Sequence, residues 1–92
     1  MKEIIEVKIT DIQHIMGYVI VDIREKEEFL EHNIGGINIP AHEITSRISE
    51  ISDKNNLIIV CSNGIRSSIM ARVIHKKIPS ANVYHLTEGI LQ

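Results

Sequence analysis

The sequence has no tryptophan, one cysteine, two prolines and only three aromatic residues, Tyr18, Phe29 and Tyr84. A single cysteine excludes an internal disulfide framework and every multi-cysteine zinc site, fits a reducing compartment, and makes Cys61 conspicuous. Charge of one sign is lacking as well: 10 Lys and Arg stand against 12 Asp and Glu, a net charge of −2. Without a basic stripe the chain lacks the electrostatic footprint of a nucleic-acid binder, so no nucleic-acid partner is expected. Long hydrophobic runs are missing too. The longest, Tyr18–Val21 and Leu57–Cys61, fall far short of the roughly 20 residues a spanning helix needs, so no membrane partner is expected. Lys2–Ile9 alternates charge with Ile and Val and has neither the apolar run nor the cleavage site of a signal peptide. A cytoplasmic location is therefore expected.

What the chain does have is isoleucine, 20 of 92 residues. The core must be built from β-branched aliphatics, which favour buried strands. A chain of this length is expected to form one domain, residues 1–92, that buries roughly 60 to 65% of its unfolded surface. Any small-molecule site should then be shallow.

Ile4, Ile5, Val7 and Ile9 predict a first strand ending near Thr10. Thr10-Asp11-Ile12-Gln13 has the form of a capping box opening a short helix that stops at Gly17. Tyr18-Val19-Ile20-Val21 is continuously apolar, the pattern of a strand covered on both faces, and Asp22 ends it. Lys26–Glu31 is polar and helix-prone, Asn33-Ile34-Gly35-Gly36 is a turn, and Ile37-Asn38-Ile39 is a short strand closed by Pro40. Ile44, Ile48 and Ile51 recur at helical spacing and predict an amphipathic helix from Ala41. Leu57–Cys61 is the strongest strand signal. A helix follows Ser62-Asn63-Gly64, with Ile65, Ile69, Met70, Val73 and Ile74 as its predicted apolar face and Pro79 as its terminator. Val83–Leu86 is the last strand. Alternating helices and unalternating strands predict an α/β sandwich around a largely parallel sheet, whose ligands sit outside the carboxyl ends of the strands. Asp22 and Cys61 occupy two such ends.

An isolated cysteine is most often a small buried hydrophobe. Cys61-Ser62-Asn63-Gly64-Ile65-Arg66-Ser67 instead places a thiol on a surface loop that turns directly into a helix. Inward amides at a helix N-terminus form an anion site and favour thiolate over thiol, and Arg66 adds a fixed positive charge. The combination points to a sulfur nucleophile whose electrophile is a phosphoester or a sulfane sulfur.

Cys61-x-x-Gly64-x-Arg66-Ser67 resembles the active-site loop of single-domain rhodanese-like sulfurtransferases. Asp22-Ile23-Arg24, Glu28-Phe29, His32, Gly35 and Ile37-Asn38-Ile39-Pro40 resemble the family's upstream signature, and Leu86-Thr87-Glu88-Gly89 resembles its L-x-G-G segment. The resemblance implies a three-layer rhodanese-like sandwich, with a mostly parallel five-stranded sheet, helices on both faces and a shortened C-terminal helix. It implies that Cys61 takes sulfane sulfur from a donor such as thiosulfate or a persulfide and passes it to a thiol or cyanide-like acceptor, or to a protein. Ser62, Asn63, Gly64, Ile65, Arg66 and Ser67 would surround the transferred sulfur. Asp22, Arg24 and His32 would support the loop, the first two through charge-assisted hydrogen bonds to it. No cofactor is implied, and the chain is expected to be a monomer or weak homodimer.

Cysteine-dependent phosphatases of the same superfamily have five residues between Cys and Arg, whereas this loop has four, which suits one added sulfur atom better than a phosphate. With one basic residue in the loop, thiosulfate is expected to be a weak or surrogate donor, and the loop is unlike that associated with 3-mercaptopyruvate. His14, His32, His42, His75 and His85 lack partners at ligand spacing, so no metal is expected. The alternative to an enzyme is a non-catalytic rhodanese-like module that binds a partner or senses redox state.

Overall fold

A computed structural model describes residues 3–91. Its strands are β1 (Ile5–Val7), β2 (Tyr18–Asp22), β3 (Ile37–Asn38), β4 (Asn56–Val60) and β5 (Asn82–Leu86). They form one sheet in the order β1-β5-β4-β2-β3, with every neighbouring pair parallel. Helix α1 (Lys26–Glu31) lies between β2 and β3, and helix α2 (Ile65–Lys77) between β4 and β5. This is the expected rhodanese-like α/β architecture.

The continuous apolar runs of β2 and β4 follow from burial on both faces of the sheet. Along β4, Leu57 and Ile59 join Ala71 and Ile74 of α2, together with Ile44 and Ile51, in one cluster. Ile58 and Val60 point the other way, against Ile12, Leu86 and Ile90. All four strand residues from Leu57 to Val60 are fully buried.

Three local expectations are corrected. The segment from Ala41 to Ile51 is not a continuous helix but two short 3₁₀ turns, Ala41–Glu43 and Ile48–Glu50. Isoleucine, serine and threonine are mediocre helix formers, and here the serines also bond the backbone: Ser46 Oγ donates to the Glu43 carbonyl at 3.0 Å and Ser52 Oγ to that of Ser49 at 3.3 Å. Ile44 and Ile51 are nevertheless fully buried. The first strand ends at Val7, and the following turn, Ile9–His14, is capped from Lys8. Its amide donates to the Asp11 carboxylate at 2.8 Å, so Asp11 takes the capping role expected of the Thr10–Gln13 pair. Helix α2 keeps Met70, Val73 and Ile74 of its predicted face against the core, but Ile65 and Ile69 are exposed, and Ser67 and Ala71 are buried. Small residues at 67 and 71 let the helix lie close on the sheet. Among the described residues no helix follows β5.

Because Ile59 sits at the centre of the α2-side cluster, Ile59→Ala should lower unfolding stability by about 3 kcal/mol in urea titrations without changing the folded-state circular dichroism.

Candidate active site

Strands β2 and β4 are neighbours, with Asp22 opposite Val60. The chain leaves β2 toward β3 on one side and leaves β4 toward β5 on the other, so the strand order reverses between them. Such a reversal opens a crevice at the carboxyl ends of the strands. Asp22 ends β2, and Cys61 follows β4 directly.

Cys61 is fully buried and belongs to the cluster that holds Ile59 and Ala71. This corrects the reading of the thiol as a surface-loop group: the residue continues the inward face of β4 before the chain turns. The loop then folds around the sulfur. The amides of Gly64 and Ser67 donate to Cys61 Sγ at 3.2 and 3.3 Å, and Ser67 Oγ lies 3.2 Å from it. Gly64, at φ +89°, makes the turn into α2, and a Cβ there would overlap the Thr87 carbonyl. Asn63 Oδ1 accepts the Ile65 amide at 3.1 Å, which directs the Asn63 side chain to the helix start and away from the sulfur. Ile65 itself is exposed.

The segment after β5 straps the loop from outside. Ile90 and Leu91 donate their amides to the Cys61 and Ser62 carbonyls, both at 3.0 Å. Gly89, at φ +76°, passes so close that any Cβ would overlap the Ser62 carbonyl.

Arg66 reaches across to α1. Its guanidinium donates to both carboxylate oxygens of Glu28, at 3.2 and 3.1 Å, and to Ser62 Oγ at 3.2 Å. The pairing holds the Glu28 carboxyl below its ordinary range. Glu28 was seen in the sequence only as part of a motif, and its contact lies 38 residues away.

Asp22 and Arg24 are brought together, but their hydrogen bonds do not go to the loop. Arg24 Nε and Nη2 donate to the Asp22 carboxylate at 3.0 and 2.8 Å, and Nη2 also donates to the His32 carbonyl. Both side chains are buried. Asn38 Nδ2 donates to the Asp22 and Arg24 carbonyls, at 3.0 and 2.9 Å. The pair thus pins the turn between α1 and β3, and the supporting role expected of it at the thiol loop is corrected to that extent. His32 contributes its carbonyl, and its side chain is exposed. A shallow depression beside the loop is lined by Arg24, Glu28, Glu31, His32, Ser62 and Leu91.

The sequence offers His85 no ligand partner nearby. His85 is buried, and Nε2 lies 2.8 Å from Ser67 Oγ. No spacing rule could have found this contact, because it needs the β4–α2–β5 unit to be folded. Among the described residues no three His, Cys, Asp or Glu side chains converge as a metal site, and no helix is long and apolar enough to cross a membrane.

A family model described as Rhodanese-like domain matches residues 7–92. The chain belongs to that family. This rhodanese-like domain is 36% identical over 59 residues to the Bacillus subtilis (strain 168) "Putative sulfur carrier protein YrkF", an alignment covering 63% of this chain and 32% of that protein. Among solved structures, reduced Bacillus anthracis CoADR-RHD matches with a TM-score of 0.80 at 31% identity, over 94% of this chain and 16% of that one. An NAD-dependent persulfide reductase from A. fulgidus matches with a TM-score of 0.67 at 32% identity, over 96% of this chain and 15% of that one. The rhodanese-like domain therefore spans about a third of YrkF and about a sixth of each of these two chains.

Burial pushes the Cys61 thiol up, but the Ser67 hydroxyl and the amides of Ser67, Asn63 and Gly64 together outweigh it and bring the thiol below its ordinary value. A group that ionises more readily when folded binds fewer protons in the native than in the unfolded state. Stability should therefore rise with pH from the folded-state midpoint up to the unfolded thiol value of about 8.5, and be lost as pH falls back through that window. Thiolate absorbance against pH, run beside urea unfolding across the same range, checks both the lowered midpoint and the sign.

Proposed function

We propose that this rhodanese-like domain is a sulfurtransferase that carries sulfane sulfur as a persulfide on Cys61. The observation that supports this most directly is the convergence of the Gly64 and Ser67 amides and the Ser67 hydroxyl on one sulfur atom. Fixed donors around a thiolate stabilise it, and they can stabilise the anion of an added sulfur as well.

The Cys61 thiolate attacks the outer sulfur of thiosulfate or of a persulfide. A new S–S bond forms at Cys61 while the donor's own S–S bond breaks, its electron pair leaving on sulfite or on a thiolate. In the second half-reaction a thiolate or cyanide attacks the outer sulfur, the Cys61 S–S bond breaks, and the Cys61 thiolate returns. Each half moves one neutral sulfur atom, so the cycle needs no outside oxidant or reductant. The names "Putative sulfur carrier protein YrkF" and "NAD-Dependent Persulfide Reductase" agree with chemistry of this class.

Ser62, Asn63, Gly64, Ile65, Arg66 and Ser67 form the cradle in this reading. Asp22, Arg24 and the His32 carbonyl hold the neighbouring turn that α1 and Glu28 depend on. Arg66 acts chiefly as a brace, because Glu28 already neutralises it. Thiosulfate is then a surrogate donor and a low-molecular-weight or protein persulfide the better one.

Intact-mass measurement after incubation with thiosulfate or polysulfide should show the gain of one sulfur atom, reversed by dithiothreitol and absent in Cys61→Ser. Burial of Cys61 gives that variant a stability cost of about 1–2 kcal/mol, so its fold is checked alongside. Absence of an adduct on folded, thiol-reactive wild-type protein would instead favour a non-catalytic binding or redox-sensing module. Glu28→Gln releases Arg66 and should lower KM for thiosulfate by up to about fivefold, the range of one exposed ion pair. Transfer from an uncharged persulfide should change less, as parallel initial-rate measurements with the two donors would show.

A further inference from the structure

Strands β1 and β5 pair in parallel with Glu6 opposite His85. The His85 side chain lies on the α2 side of the sheet, where Nε2 sits 2.8 Å from Ser67 Oγ and 3.1 Å from the Gly64 carbonyl oxygen. At its other end Nδ1 lies 2.7 Å from Glu6 Oε1, and the same oxygen accepts a hydrogen bond from Thr87 Oγ1 at 2.7 Å. Ser67 Oγ in turn lies 3.2 Å from Cys61 Sγ. The four side chains form one continuous line from an exposed carboxylate on β1 to the buried sulfur.

The direction of each hydrogen bond in that line follows from its fixed members. A carbonyl oxygen only accepts, so the Gly64 contact is a hydrogen bond when Nε2 carries the hydrogen, and that tautomer is the one the line requires. A hydroxyl that accepts from this nitrogen has its own proton free, and the remaining neighbour is sulfur. Glu6 faces Nδ1 as an acceptor too. Burial raises its carboxyl, but the hydrogen bonds from Thr87 and His85, with the charge of His85, outweigh that and leave it below its ordinary value. Acceptors thus face the ring at both of its nitrogens.

We propose that His85, oriented by Glu6, is a positioning residue that acts through Ser67. It holds the Ser67 hydroxyl as a donor to the Cys61 sulfur, which favours the thiolate. His85 touches neither the sulfur nor a donor molecule. The other charged groups facing this unit are Arg66 on α2 and Asp22 at the end of β2, and Arg66 is raised by Glu28 first and by Cys61 and Asp22 after it. Neither is hydrogen-bonded to the line. The outer end opens on a surface depression lined by Glu6, Asn63, Gly64, His85 and Thr87 among others, so Glu6 is within reach of solvent.

The inference rests on Cys61 being the reactive group, but the decisive readout is thiol ionisation, which can be measured whether or not sulfur is transferred. Thiolate absorbance against pH is recorded for wild type, His85→Gln, Ser67→Ala and the double variant, each checked for fold by circular dichroism. His85→Gln should move the Cys61 midpoint up by about one pH unit, a tenfold loss of thiolate at neutral pH. In the Ser67→Ala background the same replacement should move it by less than about a third of that, because the link is already cut. A midpoint unchanged in folded His85→Gln, or an equal shift in both backgrounds, would overturn the proposal. If His85→Gln does not fold, nitrogen NMR of the wild-type ring decides the matter. A proton on Nε2 is expected, and a bare Nε2 would overturn it. Failure of sulfur loading with these shifts intact would count against the transfer reading alone.

Discussion

The structure depends on β4 lying between β2 and β5. That one placement sets the Cys61 sulfur beside the end of β2, brings α2 back across the sheet so that Ser67 lies under the loop, and delivers His85 to the far side of the same hydroxyl. The β4 register is itself held by burial on both faces, since sliding the strand by one residue would exchange Ile59 and Cys61 with Ile58 and Val60 across the sheet. Packing and chemistry are thus specified by the same alternation. The thiol is simply the last inward-facing position of the strand.

Two kinds of support surround it. The loop amides and Ser67 act on the sulfur directly, whereas the strap from Gly89 to Leu91 acts on the backbone that carries them. The buried Asp22–Arg24 pair is a third element one step further out. A buried ion pair is costly unless its remaining hydrogen-bonding groups are satisfied, and here the His32 carbonyl takes up part of the guanidinium's capacity. Its contribution is to shape the turn that carries the chain from α1 to β3.

The strands, α1 and the ends of α2 were legible because they rest on local signals: continuous Ile and Val runs, turn residues, and a proline just past the helix. The thiol loop was legible for the same reason, since cysteine, turn glycine and arginine lie within six residues. What could not be read were the contacts made by sheet order. Glu6 and His85 are 79 residues apart and Glu28 and Arg66 are 38 apart, and nothing in either neighbourhood advertises the other. The amphipathic reading of Ala41–Ile51 located the buried isoleucines and missed the backbone, because the same spacing can be met by two tight turns when serine side chains compete for the carbonyls. Met70, Val73 and Ile74 of the α2 face were legible and the Ile65 and Ile69 part was not, because side-chain size as well as hydrophobicity decides what meets the sheet. Serine and alanine face the sheet where the helix comes closest, and two isoleucines face out.

The bidentate contact between Glu28 and Arg66 also has a kinetic side. A guanidinium standing free over a thiolate would draw anions from a distance, raising encounter rates in a way that fades with ionic strength. Here the loop's cation is cancelled before any ligand arrives. Approach to this crevice is left to diffusion and to short-range fit, a regime that treats a charged small molecule and a bulky neutral one more evenly than a cationic funnel would.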